Sequence, residues 1–400
     1  MAASLKFGNG NWATKEGSTL AYSDKNGNFK PLPFDFTRAS NASVVNKQGL
    51  VETVGNGIPR IDFADSENGA LKLEPQSTNL IPYSSDLSAW SKLNSTVTES
   101  SVLSLDGINN SYVYERTSGS SSYIYRTVSL SNTTVYTLSF FAKSGTSTNV
   151  RADIWDSVQS HQCSIDVDLV TKAVSNFIGT SYKIEDYING WMRISVTFIS
   201  ENSFGTTFNR YFNRDSVGTE LYIWGAQLEQ QSYVTSYIPT EGSAVTRNKD
   251  VCDNTNIPTL LGQTEGSFLI EVNKSVANAE IFSFNRSTSN SFHVFANAGS
   301  GYYQVIAYYE GGFYNKPTFL PSTDKVKIAV SYKNNEYKLY ANGAEIFSSN
   351  VFTWTPNVPL EDLYFNKGGY IGGNKTSEIK ALVVWKEALS DEELTELTQV

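Results

Sequence analysis

The sequence predicts an all-β protein built from antiparallel β-sandwiches, and three observations lead to that prediction. Aromatic residues make up 13% of the 400 residues, with 23 Tyr and 22 Phe, and such residues favour pleated, half-buried surfaces. Apolar and polar residues alternate through many short segments, which are separated by loops rich in Ser, Thr, Asn and Gly. A convincing helix pattern is found only near residue 390. Since the length exceeds what one hydrophobic core usually holds, two or three domains are expected.

The first segment, residues 1–80, is rich in turns. It contains the stretches "KFGNGNW", "SDKNGNF" and "KPLPFDF", in which Asn-Gly pairs and prolines force turns every few residues. Two short strands are expected, in "GIPRIDF" and "GALKLEP". Such a segment cannot build a large core alone, so it is interpreted as a docking segment that lies against a following domain, a sister chain or a larger assembly.

The second segment, residues 81–250, has regular strand patterns. Alternation is clear in "VYTLSFFAK", "GWMRISVTFI" and "ELYIWGAQLE", and the loops between them carry no convincing amphipathic helix. This arrangement is typical of an antiparallel sandwich or jelly roll.

A second β series, residues 251–400, follows the polar stretch "TRNKDVCDNTNIPTLLGQTEG". It includes "SFLIEV", "YYQVIAYY" and "KVKIAVSY", and Asn342-Gly343 between alternating runs predicts a tight hairpin. The chain then closes with a helix, for which Ser390 and Glu393 form a capping box and Leu389 and Leu394 a hydrophobic staple.

Charge and cysteine content exclude several classes of protein. The formal net charge is −9 and the basic residues are scattered, which argues against nucleic acid and anionic membranes as partners. Cys163 and Cys252 stand far apart and are expected to be buried, reduced thiols. With no apolar signal region and no run of about 18 apolar residues, we expect synthesis in a cytoplasm without membrane insertion.

No catalytic constellation stands out, so an enzyme, a cofactor and a metal are not expected. Asp166 and Asp168 have the spacing of paired carboxylates, but they fit ordinary strand positions better. His161 and His293 are isolated in sequence and are interpreted as structural. The acid-rich turn "DFADSENG" at 62–69 lacks the ligand spacing of a calcium loop.

A sugar-binding site needs fewer features than a catalytic site. It needs an exposed ring for the apolar face of a pyranose, with amides and carboxylates beside the ring. One candidate is the Gly-Gly bend in "YYQVIAYYEGGFYNKPTF", with Tyr308, Tyr309, Phe313 and Tyr314. Another is Trp155, flanked by Asp153 and Asp156. Packing of these rings in a core is the competing interpretation.

Several phrases resemble proteins of tailed bacteriophages. "FDFTRASNASVVNKQGLVE", "GIPRIDF" and "LKLEPQSTNLIPYSSDLSAW" resemble the opening of phage fibre and tail-associated proteins, although Ser43-Val44-Val45 departs from that pattern. "INGWMRISVTF", "YIWGAQLE" and "TSYIPTEGSAVTRNKDV" are similar to the end of a carbohydrate-binding-module-like jelly roll. The C-terminal phrases "KIAVSYKNNEYKLYANGAEIF" and "IKALVVWKEALSDEELTEL" resemble a concanavalin A-like (laminin G-type) domain. The N-terminal stretch looks like an opening seen in phages of Bacteroidales hosts, including crAss-like phages.

This resemblance implies two tandem sandwiches, a jelly roll and then a concanavalin A-like domain, after the irregular N-terminal segment. It further implies that the two "TR" phrases pack together, with Arg38 and Arg247 tying backbone turns. The implied protein is a non-enzymatic fibre or adhesin subunit of a virion, on head or tail. It would be a homotrimer that contacts other virion proteins through residues 1–80 and host polysaccharide through its sandwiches. A virion-associated polysaccharide depolymerase, a purely structural decoration and a secreted lectin are the alternatives.

Overall fold

A computed structural model describes residues 2–25, 28–108, 111–158, 160–203, 205–275, 279–285, 290–297, 302–309, 312–321, 325–354, 359–366 and 376–400. The chain divides into two compact units. Unit 1 comprises residues Met1–Lys47, Val54–Pro75 and Asn248–Val400, and unit 2 comprises Gln48–Thr53 and Gln76–Arg247.

The strands are numbered in chain order. Those that precede residue 80 are β1 (Leu5–Gly8), β2 (Thr14–Lys15), β3 (Ser18–Lys25), β4 (Asn28–Thr37), β5 (Ala42–Val45), β6 (Val51–Val54), β7 (Ile61–Asp62), β8 (Ala70–Leu73) and β9 (Ser77–Asn79). Those of the middle of the chain are β10 (Ser91–Leu93), β11 (Ser95–Glu99), β12 (Tyr112–Arg116), β13 (Tyr123–Val128), β14 (Val135–Ser144), β15 (Asn149–Asp156), β16 (Ser160–Asp168), β17 (Val174–Ile178), β18 (Ser181–Asp186), β19 (Met192–Ile199), β20 (Thr207–Asn213), β21 (Glu220–Glu229) and β22 (Val245–Arg247).

The remaining strands and the helix complete the chain. They are β23 (Val251–Asn254), β24 (Gly266–Ser275), β25 (Ala279–Phe284), β26 (Ser291–Asn297), β27 (Tyr302–Tyr309), β28 (Gly312–Pro321), β29 (Val326–Lys333), β30 (Glu336–Ala341), β31 (Ala344–Ser349), β32 (Leu363–Phe365), β33 (Ser377–Trp385) and α1 (Asp391–Thr398). Two short 3-10 helices lie at Leu87–Ala89 and Ile188–Gly190. The all-β prediction is confirmed, and every pairing discussed below is antiparallel.

In unit 1 the described strands other than β5 form one continuous sheet with two series that face each other, and β1 joins the series by pairing with both β3 and β33. One series runs β28–β27–β26–β25–β32–β23–β4–β3. The other runs β31–β30–β29–β24–β33, and β33 pairs onward with both β1 and β8. Their inner faces share one core, in which Phe268 of β24 lies 5.6 Å from Phe282 of β25, measured between ring centroids. Burial of these large apolar rings is the main stabilising contribution.

Strands β1 to β5, β7 and β8 belong to unit 1 together with residues 248–400, so this part of the N-terminal segment lies against a following part of the chain and belongs to the same compact unit. Leu5 and Phe7 of β1 and Phe34 and Phe36 of β4 are fully buried in the unit 1 core. β1 is paired along its length with β33, with Phe7 opposite Leu382. β3 pairs with its neighbours β2 and β4, but β1 and β4 also pair with strands about 220 to 380 residues away, which local patterns cannot reveal. The Asn26-Gly27 turn lies outside the described residues.

Buried ion pairs hold the same N-terminal stretch to the rest of unit 1. Arg38 donates to the backbone oxygens of Ser40, Gly55 and Ile58, and it lies 3.1 Å from Asp250. Arg60 contacts both Glu74 and Asp250. Arg38 therefore ties backbone turns as the resemblance implied. Arg247 lies in unit 2, where its strand β22 pairs with β9.

Unit 2 consists of two six-stranded sheets with a core between them. The first sheet has the order β10–β13–β20–β15–β16–β17, and the second has the order β11–β12–β21–β14–β19–β18. Alternate residues of both sheets point into this core, among them Ile154 and Tyr211 of the first sheet and Phe140 and Ile223 of the second. Two facing antiparallel sheets agree with the predicted sandwich.

The stretch "WGAQLE" contains a β-bulge in the second sheet of unit 2. Trp224 pairs with Phe141 and Gln227 with Ser139, so two residues of β21 oppose the single Phe140 of β14. Gly225 has a φ of 64°, and a Cβ atom there would come 2.7 Å from the Phe141 ring. The left-handed backbone and the close ring both require glycine at this position.

Three local predictions are confirmed. Asn342 and Gly343 have φ values of 46° and 82° and join β30 to β31 as a two-residue hairpin. The capping box of α1 is present, with Ser390 accepting from the Glu393 N–H and Glu393 accepting from the Ser390 N–H. Cys163 and Cys252 are buried free thiols. The described residues contain no helix with the length and apolarity that a membrane span requires.

Candidate functional site

The outer face of the first sheet of unit 2 carries an unusual set of side chains. On β15 the core receives Ala152 and Ile154, so Arg151, Asp153 and Trp155 point to the opposite face. We call this opposite face, with the neighbouring side chains of β13, β16 and β20, the ring-and-arginine face. Its members are Tyr123, Tyr125, Arg151, Asp153, Trp155, His161, Asp166, Phe208, Arg210, Phe212 and Arg214.

The strand register brings these residues together. Phe212, Arg210 and Phe208 of β20 stand opposite Arg151, Asp153 and Trp155 of β15, in that order. On the other side of β20, Arg210 stands opposite Tyr125 of β13. On the other side of β15, Arg151 stands opposite Asp166 and Trp155 opposite His161 of β16.

Five aromatic rings form a chain of contacts across this face. Trp155 stacks on Phe208 at 5.9 Å, with an angle of 29° between the ring planes. Phe208 meets Tyr125 edge-on at 5.6 Å, Tyr125 meets Tyr123 at 5.7 Å, and Tyr123 meets Phe212 at 5.1 Å. All five rings are half-buried, which leaves part of each accessible to solvent. Large, partly exposed rings in contact provide an extended apolar surface.

Arg210 stands at the centre of the rings. Its guanidinium carbon lies 4.9 Å from the centroid of the Trp155 ring, 5.1 Å from that of Tyr123 and 5.1 Å from that of Phe212. A guanidinium over aromatic faces contributes about 0.5 to 2 kcal/mol for each favourable contact. Arg210 thus holds the surrounding rings in fixed positions.

Asp153 fixes Arg210 in turn. Arg210 donates from Nε to Asp153 Oδ1 at 2.8 Å and from Nη2 to Asp153 Oδ2 at 2.9 Å, which is the bidentate geometry of a strong pair. The Asp153 side chain is fully buried, although it points to the outer face, because the rings and Arg210 cover it. His161 Nδ1 lies 3.3 Å from the same carboxylate. The acid beside Trp155 therefore positions the face.

A second carboxylate, Asp166, lies at the edge of the face. Its Oδ1 is 3.5 Å from Arg151 Nε, its Oδ2 is 3.5 Å from Arg214 Nε, and Asn176 donates to Oδ2 at 2.8 Å. Asp168 has a different role: it accepts the backbone N–H groups of Val170 and Thr171 in a turn. The two acids that sequence spacing suggested as a pair thus have separate partners.

The structure assigns the predicted sugar-binding residues to three groups. Trp155 and Asp153 lie on the ring-and-arginine face. Asp156 points into unit 2, where it accepts from the Val158 N–H and from Gln162 Nε2. Tyr308 is 7% exposed and packs with Phe295 and Ile306 in a small buried cluster separate from the main core of unit 1, so it is not an exposed platform. That part of the expectation is corrected.

The rest of the aromatic bend lies outside the described side chains. Tyr309 belongs to β27, and Phe313 and Tyr314 belong to β28, with Tyr309 opposite Gly312 and Tyr308 opposite Phe313. β27 and β28 are therefore antiparallel neighbours on either side of the predicted bend, and the side chains of Tyr309, Phe313 and Tyr314 are not among those described.

The other candidate groups have structural partners. His293 of unit 1 lies between Glu280, 3.0 Å from Nδ1, and Ser291, 3.0 Å from Nε2. All three side chains are buried, so solutes do not reach this row of hydrogen bonds. In the acid-rich turn, Asp62 lies 2.8 Å from the Lys72 ammonium. Among the described residues, no group of three or more His, Cys, Asp or Glu side chains is placed to hold a metal ion.

The sequence did not single out seven members of the face: Tyr123, Tyr125, Arg151, Phe208, Arg210, Phe212 and Arg214. The signal was present in "TFNRYFN" at 207–213, where Phe208, Arg210 and Phe212 alternate with residues that point inward. Alternation alone did not show which face was buried. Only the register of β20 against β13 and β15 combines these rings with Trp155.

Comparisons with known proteins give partial likenesses of fold. No protein-family model matches the chain, and no curated protein matches it. Among solved structures, the chain is similar to the carbohydrate-binding module CBM40 of Ruminococcus gnavus IT-sialidase bound to α2,3-sialyllactose. That match has 18% identity and a TM-score of 0.29, and it covers 36% of this chain and 91% of the other.

Two further solved structures have similar scores. Domain 4 of AbnA, a GH43 extracellular arabinanase from Geobacillus stearothermophilus, in complex with arabinotriose, has 16% identity and a TM-score of 0.33, covering 42% of this chain and 84% of the other. The receptor binding domain of botulinum neurotoxin C/D mosaic serotype has 14% identity and a TM-score of 0.31, covering 38% and 40%. At these scores the ligands of those proteins carry no argument for this chain.

Proposed function

We propose that this chain is a non-enzymatic, glycan-binding fibre or adhesin subunit of a tailed-phage virion. The ring-and-arginine face of unit 2 is the observation that supports glycan binding. Its half-buried rings, with Trp155 and Phe208 stacked, offer an apolar surface, and the arginines and acids beside them offer hydrogen bonds. Sugar recognition needs this combination, since a pyranose has both an apolar face and a rim of hydroxyls.

The face is also rigid, which favours binding. The Asp153–Arg210 pair fixes the cation around which the rings pack, so little side-chain freedom is lost when a ligand arrives. A millimolar dissociation constant corresponds to only about −4 kcal/mol, which one stacked ring and a few hydrogen bonds provide. Several copies on one particle would raise the effective concentration and convert weak sites into firm attachment.

The virion assignment rests on the resemblance of the linker phrases to phage fibre proteins. We propose with it that the protein resides in the virion and assembles as a homotrimer. Docking through residues 1–80 was expected partly because that segment could not build a core alone. That reason no longer holds for β1 and β4, which are paired within unit 1. Light scattering on the full-length protein tests the trimer, and a 44 kDa species alone at micromolar concentration would contradict it.

Affinity electrophoresis tests glycan binding directly. Native gels containing dextran, mannan, alginate or polygalacturonate are run with the wild type and with Trp155→Ala and Phe208→Ala. The matched control is Tyr182→Ala, because Tyr182 is a 49% exposed ring on β18 of the second sheet. We expect at least one polysaccharide to retard the wild type and the control, and to retard the two face variants much less.

Each other result has a distinct meaning. If no polysaccharide or host-cell surface retains the wild type, glycan binding is contradicted and a purely structural subunit remains. If Trp155→Ala is retarded as strongly as the wild type, the site lies elsewhere, and the bend with Tyr309, Phe313 and Tyr314 is next. Release of reducing sugar from a bound polysaccharide would establish the depolymerase alternative.

A further inference from the structure

The charges on the ring-and-arginine face point to one class of glycan. Four cationic or titratable groups lie there, Arg151, His161, Arg210 and Arg214, against two carboxylates, Asp153 and Asp166. Asp153 is occupied by Arg210 in a bidentate pair. Asp166 alone then faces two guanidinium groups, each at 3.5 Å. One guanidinium charge is left uncompensated on this face of a chain whose net charge is −9.

Among the described residues, the side chains of Arg151 and Arg214 make polar contacts only as ion pairs of 3.5 to 3.6 Å, and Arg151 Nε is buried. Arg151 Nε makes no hydrogen bond among the described residues, because its distances of 3.5 Å to Asp166 and 3.6 Å to Asp153 are those of loose ion pairs. The Arg214 side chain is 44% exposed and has Asp166 as its ion partner. A guanidinium presents its donors as a planar fork, and that fork matches the two oxygens of a carboxylate.

The guanidinium group of Arg151 and the Trp155 ring both lie along β15. Arg151 and Trp155 both point outward from β15, and four residues of a strand span about 13 Å. Arg151 also lies over Phe212, 5.9 Å from the ring centroid, so the cations and the apolar surface are continuous. An extended saccharide can therefore stack one ring on Trp155 and place a charged group of another residue, further along the same chain, at Arg151 and Arg214.

We propose that the site selects acidic polysaccharides, whose sugar carboxylates are bound by Arg151 and Arg214 while a sugar ring stacks on Trp155. This inference rests on the proposed glycan-binding function and names its ligand class. Neutral polysaccharides lack the anion that the uncompensated guanidinium favours. Arg151 and Arg214 thus provide the selectivity, and the rings provide the apolar contact.

A pair of probes that differ only in the carboxylate tests this selectivity. Polygalacturonate and carboxyl-reduced polygalacturonate have the same linkage, and only the first is charged. Retardation of the full-length wild type, Arg151→Gln and Arg214→Gln is compared in both. Lys183→Gln is the matched control, because Lys183 is an exposed cation on β18 of the second sheet. Circular dichroism and the melting temperature establish that each variant is folded.

We expect the wild type and Lys183→Gln to bind polygalacturonate at least tenfold more tightly than its reduced form. Arg214→Gln should lower that affinity about tenfold and Arg151→Gln by as much or more, without changing the affinity for the reduced form. Equal wild-type affinities for the two probes, or unchanged selectivity in both arginine variants, would overturn the acidic-glycan proposal while glycan binding itself stands. If Trp155→Ala loses affinity for both polygalacturonate and its reduced form while the arginine variants keep both, the face binds glycan without selecting acidic ones.

Discussion

Asp153 and Arg210 determine how far the candidate site is preorganised. Asp153 is fully buried and forms two short hydrogen bonds to Arg210, which in turn lies against three rings. A carboxylate in such a position stabilises the cation more than a neutral amide can, because each hydrogen bond to it is charge-assisted. Arg210 contacts three rings and its side chain is only 13% exposed, so its role is to position them.

Replacing this carboxylate should weaken both the fold and the site. For Asp153→Asn we expect the free energy of unfolding to fall by about 2 to 3 kcal/mol, since a charge-assisted pair is lost in a covered position. The retardation of the protein by polysaccharide in native gels should decrease as well. Urea unfolding at neutral pH measures the first effect. Asp186→Asn is the control, because Asp186 and its partner Lys172 form an exposed surface pair, and its loss should change stability by less than about 1 kcal/mol.

Ionisation of Asp215 in unit 2 should make the stability of the fold depend on pH in the acidic range. Burial opposes its ionisation, but hydrogen bonds from the Thr148 backbone N–H and from the Asn149 and Ser147 side chains outweigh that effect. The pKa of Asp215 is therefore held below its ordinary range. A depressed pKa stabilises the folded state above the unfolded-state value of about 3.9, and this contribution is lost as pH falls through the lower, folded-state pKa.

The variant Asp215→Asn should lose this pH-dependent contribution. At pH 7 we expect it to be less stable than the wild type by about 1 to 2 kcal/mol, since an amide offers one acceptor oxygen where several donors converge. The difference should shrink as pH falls below about 3. Urea midpoints at pH 7 and pH 2.5 measure it, and an undiminished difference at pH 2.5 would show that the carboxylate charge is not responsible.

At the scale of single elements, buried charges fix the stretch 54–75 in unit 1. Arg60 is fully buried between Glu74 and Asp250, and Asp250 also accepts the backbone N–H of Glu74. Removing one partner of a buried ion pair leaves the others without compensation, which typically costs about 3 to 5 kcal/mol. For Arg60→Met we expect a loss of that size in the unfolding free energy of unit 1.

An exposed ion pair provides the control that separates the effect of burial from the effect of losing a charge. Lys183 and Glu185 form an ion pair at 2.6 Å on the surface, so Lys183→Met removes the same charge without uncovering a buried acid. We expect its effect to stay below about 1 kcal/mol by differential scanning calorimetry. Equal effects of Arg60→Met and Lys183→Met would contradict the importance of burial.

Individual strands and turns could be predicted from sequence, and their pairing could not. The alternation of "VYTLSFFAK" predicted β14, and Asn342-Gly343 predicted the hairpin of β30 and β31, because both signals are local. The aromatic neighbours of Trp155 depend on the register of β20 between β13 and β15, which a local pattern does not contain. Tyr308 was misplaced for a related reason: a tyrosine beside a bend fits both a core and a surface.

At the scale of the whole molecule, unit 1 is built from segments that lie far apart in the sequence. β33 near the C-terminus pairs with β1 and β8 near the N-terminus, and β23 pairs with β4. The Asp250 N–H donates to the Glu74 oxygen at 3.0 Å, so the chain returns to unit 1 close to where it left. Residues 76–247 are thus an insertion in the sequence of unit 1.

Two truncated proteins test this composition. Residues 248–400 alone lack the strands that carry Leu5, Phe7, Phe34 and Phe36, so we expect them to be unfolded or insoluble. Residues 1–75 joined to 248–400 by a short Gly-Ser linker should fold cooperatively, because the joined ends are adjacent. A sharp thermal transition of residues 248–400 alone would contradict the division.

Contact between glycan and the ring-and-arginine face is tested most directly by fluorine NMR. The chain has 7 Trp, so protein labelled with 5-fluorotryptophan gives a small set of resonances, and Trp155→Phe assigns the one of interest. Oligosaccharides of the polysaccharide that retards the protein most strongly are then titrated. We predict a saturable shift of the Trp155 resonance with little change in that of Trp354, which is buried in unit 1. Saturable binding that moves other resonances and leaves that of Trp155 unchanged would contradict the account.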